Sequence, residues 1–330
     1  MIDITHPEID FAIQTVRKAS ILVRRIQREL VIPSLTKIDK SPVTVADFAS
    51  QALVAYTLQQ SFPTEVLVAE EDASELRLKD SSQLLGQITG FIREFIPNAT
   101  PETVCEWIDR GARPHGHRFW TLDPIDGTKG YLRGDQYAVA LALVVNGKIQ
   151  IGVLGCPNLV EAHRPDLDGQ GSLIFAVRGQ GTWTCPIDHA IPLVRLQVSD
   201  QSKLINARLL RSFESGHTNT DKTEQFHQII HSQVEPVLMD SQAKYSVLAA
   251  GEGEILLRLL SKDQPDYREK IWDQAAGSII LEEAGGKITD LEGQALDFSC
   301  GRTLIKNRGI LASNGKLHSA ALEALRSIGI

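Results

Sequence analysis

Cysteine is scarce in this chain. Cys105, Cys156, Cys185 and Cys300 are the only four in 330 residues. No two form a C-x-x-C pair and none has zinc-finger spacing, which excludes a thioredoxin-like redox motif and a structural zinc site. Four reduced thiols in a cytosolic protein are expected, and nothing in the spacing supports a regulatory disulfide. A basic excess is also missing: 34 Lys and Arg stand against 41 Asp and Glu, for a formal charge of −7 and a pI near 5.7. That excludes general binding of nucleic acid or a membrane surface through a basic field. A small anionic substrate stays open, because bound cations reverse the local sign. No apolar run reaches the roughly 18 residues of a membrane span. The polar, acidic start has no apolar h-region, so no secretory signal is expected. Internal repeats, low-complexity segments and Ser or Cys nucleophile motifs are absent too. What remains, 42% hydrophobic and 23% charged residues, is ordinary for a soluble globular chain. Its length allows one large or two ordinary domains whose cores need no disulfide.

The most informative stretch is Trp120-Thr-Leu-Asp-Pro-Ile-Asp-Gly-Thr-Lys129. Phe119, Trp120 and Leu122 read as a strand running into a turn that carries Asp123 and Asp126. Two carboxylates there suit a divalent cation such as Mg²⁺, which takes oxygen ligands. The amides of Gly127 and Thr128, with the Thr128 hydroxyl, suit a phosphate. Metal and phosphate together suggest metal-assisted phosphoryl transfer or hydrolysis. A strand's C-terminal end is also where open α/β sheets bind ligands. The bland alternative is a solvated acidic turn before a helix.

Along the chain, Ala12, Val16, Ala19, Val23, Ile26 and Leu30 recur at helical spacing and predict one amphipathic helix from about Pro7 to Leu30. Thr44 and Asp47 resemble a capping box at the start of a second helix. Val66 to Ala69 reads as a strand meeting Glu70-Glu71-Asp72. Residues 73–100 read as an irregular excursion with a short helix, and residues 101–110 as another helix. Tyr137 to Val145 is apolar throughout, as in a strand buried on both faces. Asn146-Gly147 is a type I′ turn signal, with Lys148 to Leu154 returning as a hairpin arm. Ser172 to Arg178 and Thr182 to Cys185 flank a second hairpin. From about residue 190 helices (near 221–233, 242–250, 272–284 and the C-terminus) alternate with strands (235–239, 254–260, 286–289, 308–312). The pattern predicts an α+β part, residues 1–189, followed by an α/β part, residues 190–330.

Asp47, Glu70, Glu71, Asp123, Asp126 and Asp273 could share one site. Singly, Asp47 and Asp273 also read as helix N-terminal acids favoured by the dipole, and Glu70 and Glu71 as solvated loop acids. The set as a whole resembles a known family. Glu70-Glu71, Asp123-Pro-Ile-Asp-Gly-Thr128 and Trp272-Asp273-x-Ala-Ala-Gly277 are similar to the lithium-sensitive, magnesium-dependent phosphatases of the inositol monophosphatase superfamily. Pro42-Val-Thr-Val-Ala-Asp47, Lys129-Gly-Tyr-Leu-Arg-Gly134, Gly155-Cys-Pro-Asn158, Asp240-Ser-Gln-Ala-Lys-Tyr245 and Gly301-Arg-Thr303 resemble its 3′(2′),5′-bisphosphate nucleotidase branch.

The resemblance implies a layered αβαβα sugar-phosphatase fold and two or three Mg²⁺ ions per site. It makes Glu70, Asp123 and Asp273, with the Ile125 carbonyl, metal ligands, and Asp126 a bridge to a second ion. It gives Gly127 and Thr128 the scissile phosphate and Asp47, paired with Thr128, the attacking water. Glu71 would be an outer contact or touch a third ion. His217, Ser241 and Lys244 would contact the nucleotide, and Arg258 its second phosphate. Ala69 stands where the family more often has Gly, a small change expected to be tolerated. The implied reaction is removal of the 3′-phosphate from adenosine 3′,5′-bisphosphate, and from 3′-phosphoadenylyl sulfate, by a cytoplasmic monomer or weak homo-oligomer. An inositol polyphosphate or monophosphate phosphatase is the alternative. Four or five converging carboxylates fit a cation site on physical grounds, because two like charges about 4 Å apart cost roughly 4 kcal/mol at an effective dielectric near 20.

Overall fold

A computed structural model describes residues 2–29, 35–36, 42–43, 45–189, 192–213, 219–261 and 263–330, with 35–36 and 42–43 as backbone only. Helix α1 (Pro7–Glu29) is followed by a two-stranded pair, β1 (Leu35–Thr36) and β2 (Pro42–Val43), and by α2 (Val45–Ser61). Then come β3 (Leu67–Ala69), α3 (Ser82–Ile92), α4 (Pro101–Asp109), β4 (Arg118–Asp126) and α5 (Thr128–Arg133). Strands β5 (Ala138–Val145) and β6 (Lys148–Cys156) form a hairpin, and a small pair, β7 (Leu159–Val160) and β8 (Arg164–Pro165), follows. Next are β9 (Ser172–Val177), β10 (Gly181–Pro186), β11 (Val194–Leu196), β12 (Leu209–Arg211), α6 (Thr220–Ile229) and β13 (Val237–Leu238). The chain closes with α7 (Ala243–Ala249), β14 (Ile255–Arg258), α8 (Ala275–Glu283), β15 (Lys287–Thr289), β16 (Ile310–Ser313) and α9 (His318–Ser327).

Two sheets organise these elements. The larger has the order β11-β10-β9-β6-β5-β4-β3, and the smaller β13-β12-β14-β16-β15. In the larger sheet only β3 and β4 pair in parallel, while in the smaller β12 runs parallel to both β13 and β14. Three apolar cores join five layers. The first joins α1 and α2 to one face of the large sheet. The second joins the opposite face, through α7 and α8, to the small sheet. The third joins the far face of the small sheet to α6 and α9. This is the αβαβα layering the resemblance implied.

Local chemistry explains how tightly the layers stack. Residues 152 and 155 of β6 point to opposite faces because strand side chains alternate. A Cβ on Gly152 would lie 2.4 Å from Ile279 of α8, and one on Gly155 would lie 1.9 Å from the Ser20 hydroxyl of α1. Both helices therefore approach one strand through glycine. The predicted α1 face is buried as its periodicity requires: Ala12, Val16, Ala19, Val23 and Ile26 are fully covered. Asn146 and Gly147 both have positive φ, 51° and 72°, as a type I′ turn demands. Thr44, the proposed capping partner of Asp47, lies outside the described residues. Among the described residues no helix is long and apolar enough to cross a membrane. All four cysteines are free thiols, and only Cys300 is not buried.

The base of the small sheet holds a buried histidine. His318 is 1% exposed, with Nε2 at 2.9 Å from the Thr289 hydroxyl and Nδ1 at 2.9 Å from the Ser313 hydroxyl. Burial, with help from Lys287, pushes its pKa down to about 4. The unfolded chain then binds a proton that the native state refuses between the ordinary value near 6.5 and about 4. Stability from the neutral imidazole is full above the unfolded value and is lost as pH falls through that window, by roughly 3 kcal/mol. Urea midpoints from pH 7.5 to 4.5 should fall more steeply for wild type than for His318→Asn. Parallel curves would show that the imidazole does not resist protonation.

Candidate active site

Both acids of the central motif sit on the end of β4 rather than on a turn beyond it. Asp123 pairs with Ala140 and Asp126 with Ala138, so β4 carries one extra residue between them. Pro124 has no N–H to give the ladder, and the strand bulges there. The bulge directs Asp123, Ile125 and Asp126 to one pocket wall. The chain then turns sharply at Gly127, φ 88°, where a Cβ would sit 2.8 Å from that of Ser241. Thr128 opens α5, and its hydroxyl donates to the Ile125 carbonyl at 3.3 Å.

Helix α2 supplies a buried polar face against this wall. Asp47, Ser50 and Gln51 are each 0–1% exposed. The Ser50 hydroxyl donates to the Pro124 carbonyl at 3.0 Å. Gln51 Nε2 donates to the carbonyls of Glu71 (2.7 Å) and Ile108 (2.8 Å), while its Oε1 accepts from the Glu71 N–H at 2.9 Å. The amide thus fixes the strand end that presents Glu70. Gln51 was not foreseen, although its place one turn after Asp47 puts both on the same helix face.

The pocket has a volume of about 870 Å³. Glu70, Asp123, Ile125, Asp126, Gly127, Thr128, Ser241, Lys244, Arg258 and Asp273 all line it. Asp47 and Glu71 are buried off its wall, and His217 lies outside the described residues. Burial raises the Asp123 carboxyl well above the usual carboxylate range, and the charges of Glu70, Asp126, Asp273 and Asp47 raise it further. Asp273 is likewise held well up by burial, against the pull of Arg258. Asp126 is raised by burial but relieved by Lys244, by Arg258 and by the Gln242 N–H, which donates to its Oδ2 at 2.6 Å. One oxygen, Asp123 Oδ1, is buried with no hydrogen-bond partner among the described residues. Mutually repelling carboxylates with an orphaned oxygen are the donor set of a hard cation, so the residues present fit a divalent metal. Among the described residues no three such side chains close around a single point to hold a metal by themselves; they surround one pocket.

The opposite wall is cationic. Lys244 Nζ donates to the Ser212 hydroxyl and the Met239 carbonyl, both at 3.1 Å, and burial pushes its pKa down to about 8 against the pull of Asp126. Arg258 pairs with Glu269 at 2.8 Å. Glu269 accepts from Gln274 Nε2 at 3.0 Å, and Gln274 Oε1 accepts from the Tyr245 hydroxyl at 2.5 Å. Gln242 ties the walls together, its Nε2 donating to the Trp272 carbonyl at 2.9 Å and its Oε1 accepting from the Gly277 N–H at 3.0 Å. Arg211, Phe213, Tyr267 and Lys270 also line the pocket. They were not foreseen, because only the meeting of the two sheets brings them to the motif.

Comparison with known proteins agrees with the layered fold. The inositol monophosphatase family model matches residues 5–329. Over 97% of its length the chain is similar to curated proteins named 3′(2′),5′-bisphosphate nucleotidase. Identity is 37% to that of Schizosaccharomyces pombe, 95% of which is covered, and 40% to that of Oryza sativa, 93% of which is covered. A relative from Arabidopsis thaliana, named 3′(2′),5′-bisphosphate nucleotidase 1, is 41% identical with 97% and 95% covered. Among solved structures an IMPase from Thermotoga maritima superposes with a TM-score of 0.67 at 21% identity, covering 98% of each chain. An inositol monophosphatase from Anabaena superposes with a TM-score of 0.61 at 22% identity, covering 96% of this chain and 94% of the other.

Proposed function

The chain belongs to the inositol monophosphatase family, and from that premise we propose that it hydrolyses the 3′-phosphate of adenosine 3′,5′-bisphosphate to AMP and phosphate. The sulfated analogue, 3′-phosphoadenylyl sulfate, is the proposed second substrate. The observation that carries the reading is the polarity of the pocket. Carboxylates suited to cations form one end, while Lys244 and Arg258 line the same cavity. A substrate with one phosphate at the reacting centre and a second at a distance uses both. The cavity volume also falls in the range of small-molecule sites.

Two or three Mg²⁺ ions bound there would neutralise phosphate charge, activate water and stabilise the leaving oxygen. Glu70, Asp123, Asp273 and the Ile125 carbonyl would hold the first, and Asp126 would share a second. Thr128 and the amides of Gly127 and Thr128 bind the equatorial phosphate oxygens, whose charge must be stabilised in the transition state. Asp47, paired with Thr128, orients or activates the attacking water. Ser241, Lys244, Arg258 and His217 hold the nucleotide, and Glu71 stays behind the carboxylates. Lithium sensitivity, a cytoplasmic setting, a boundary near residue 190 and a monomer or weak homo-oligomer complete the proposal.

Phosphate release from a substrate panel tests it. The panel compares adenosine 3′,5′-bisphosphate, its sulfated analogue, the 2′,5′ isomer, inositol 1,4-bisphosphate and fructose 1,6-bisphosphate. Lys244→Ala should lose about ten- to a hundredfold in kcat/KM on the adenosine bisphosphate, as for one lost charged contact. Turnover of an inositol phosphate should change little. Equal losses on both would make Lys244 a support for the shared phosphate, and preference for the inositol substrate would overturn the nucleotide reading.

A further inference from the structure

The segment Gly301-Arg302-Thr303 matches the nucleotidase branch, yet Arg302 is not on the pocket wall. Its backbone runs beside the segment that delivers Asp273. The Ile271 N–H donates to the Arg302 carbonyl at 3.1 Å, the Leu304 N–H donates to the Glu269 carbonyl at 2.9 Å, and Thr303 bridges Lys270. Its side chain reaches the other half of the site. The guanidinium donates to the Ala69 carbonyl, immediately before Glu70, and to the Gly111 carbonyl at 3.0 Å. Gly111 in turn accepts from the Ala69 N–H at 2.9 Å. The guanidinium carbon also lies 4.6 Å from the centroid of the Trp272 ring, which is 4% exposed and directly precedes Asp273.

We propose that Arg302 is a positioning residue that locks the Glu70 and Asp273 backbones at a fixed separation so that their carboxylates can share a cation. The proposal rests on the metal roles given above to Glu70 and Asp273. Glu70 follows β3 of the large sheet and Asp273 lies between β14 of the small sheet and α8, so fixing one to the other means linking two separate parts of the fold. Arg302 does so with one rigid group, because two guanidinium N–H directions serve two carbonyls while its flat face covers the indole. Lysine has a single head group and no planar face, so it cannot do all three. The charge of Arg302 acts in the opposite sense. A cation beside Glu70 and Asp72 repels a metal, so if charge were its only influence, its removal would tighten metal binding.

That difference in sign makes the test decisive. Cation-free wild type, Arg302→Lys and Arg302→Met are titrated with Mn²⁺ by electron paramagnetic resonance and calorimetry, below the melting temperature of each protein. Mg²⁺ activation is measured in parallel. Positioning predicts that both variants bind Mn²⁺ at least about tenfold more weakly, the usual scale for groups that orient metal ligands. The Mg²⁺ activation constant should rise in step, while kcat at saturating Mg²⁺ recovers to within a few-fold and the KM for adenosine 3′,5′-bisphosphate holds. Tighter Mn²⁺ binding by Arg302→Met with an unchanged Arg302→Lys would overturn the proposal in favour of charge alone. A lowered melting temperature with unchanged Mn²⁺ affinity would overturn it in favour of a general packing role. If wild type itself binds no Mn²⁺, the metal reading of the site falls first. If wild type binds and the variants match it, only the role of Arg302 falls.

Discussion

Asp126→Asn is expected to lower kcat about a thousandfold while leaving the cation-free protein at least as stable as wild type. The loss follows from the chemistry asked of that oxygen. In the proposed role Asp126 would share a second ion, such an ion would supply several kcal/mol of transition-state charge stabilisation, and each 1.36 kcal/mol is tenfold in rate. The stability half follows from burial. Asp126 is raised above its unfolded value by desolvation, which Lys244, the Gln242 N–H and Arg258 only partly offset. A carboxyl with a raised native pKa binds protons more readily folded than unfolded, so its ionisation lowers stability as pH rises through the window between the two values. At neutral pH the charge is therefore a cost, and a neutral amide removes it. The amide can still accept from the Gln242 N–H through its carbonyl oxygen. Steady-state phosphate release at saturating Mg²⁺ and thermal melting without metal check the two halves. A variant within tenfold of wild-type kcat would remove Asp126 from the reaction. A melting temperature well below wild type would mean that the charge holds the walls together.

Local patterns carried the reading of the sequence a long way, and they stopped where long-range geometry began. The helical period of α1, the apolar run of β5 and the Asn146-Gly147 turn each specify a structure from neighbouring residues, and all three are present. The strand ending in Leu67-Val-Ala69 and the acids after it were equally legible. The bulge at Pro124 was not, because its form depends on which residues of β5 lie opposite. Short strands such as β11 and β12 carry too few residues for a period and owe their pairing to the sheets. The metal-type carboxylates were named from motif and resemblance, and Glu70, Asp123, Asp126 and Asp273 do line one pocket. Side chains that act at a distance left weaker traces. Gln51 reaches 20 residues along the chain to Glu71, and Arg302 reaches 233 residues back to Ala69. Neither residue type announces such a partner, so only the fold reveals it.

Asp47→Asn is expected to lower kcat by about a hundredfold or more, the ordinary range for a positioned general base, with KM changing little. The argument is one of location and charge. Asp47 is 1% exposed in the first turn of α2 and off the pocket wall, so it is not placed to bind the nucleotide. Its charge nevertheless reaches the centre, since it helps to hold the Asp123 carboxyl above the usual range. A group that serves only while a proton leaves the attacking water contributes in the transition state and not in the ground state. Removing it should lower kcat and kcat/KM together. Binding of adenosine 3′,5′-bisphosphate in the presence of Ca²⁺, measured by calorimetry, should survive the substitution. The Mg²⁺ activation constant should hold as well, which separates Asp47 from Asp126. The alternative is that Asp47 merely complements the α2 dipole, an effect of about 0.3–1 kcal/mol on stability. That reading predicts a modest drop in melting temperature with kcat intact. A raised KM with an unchanged kcat would likewise take Asp47 out of water activation and leave it a structural acid at the head of its helix.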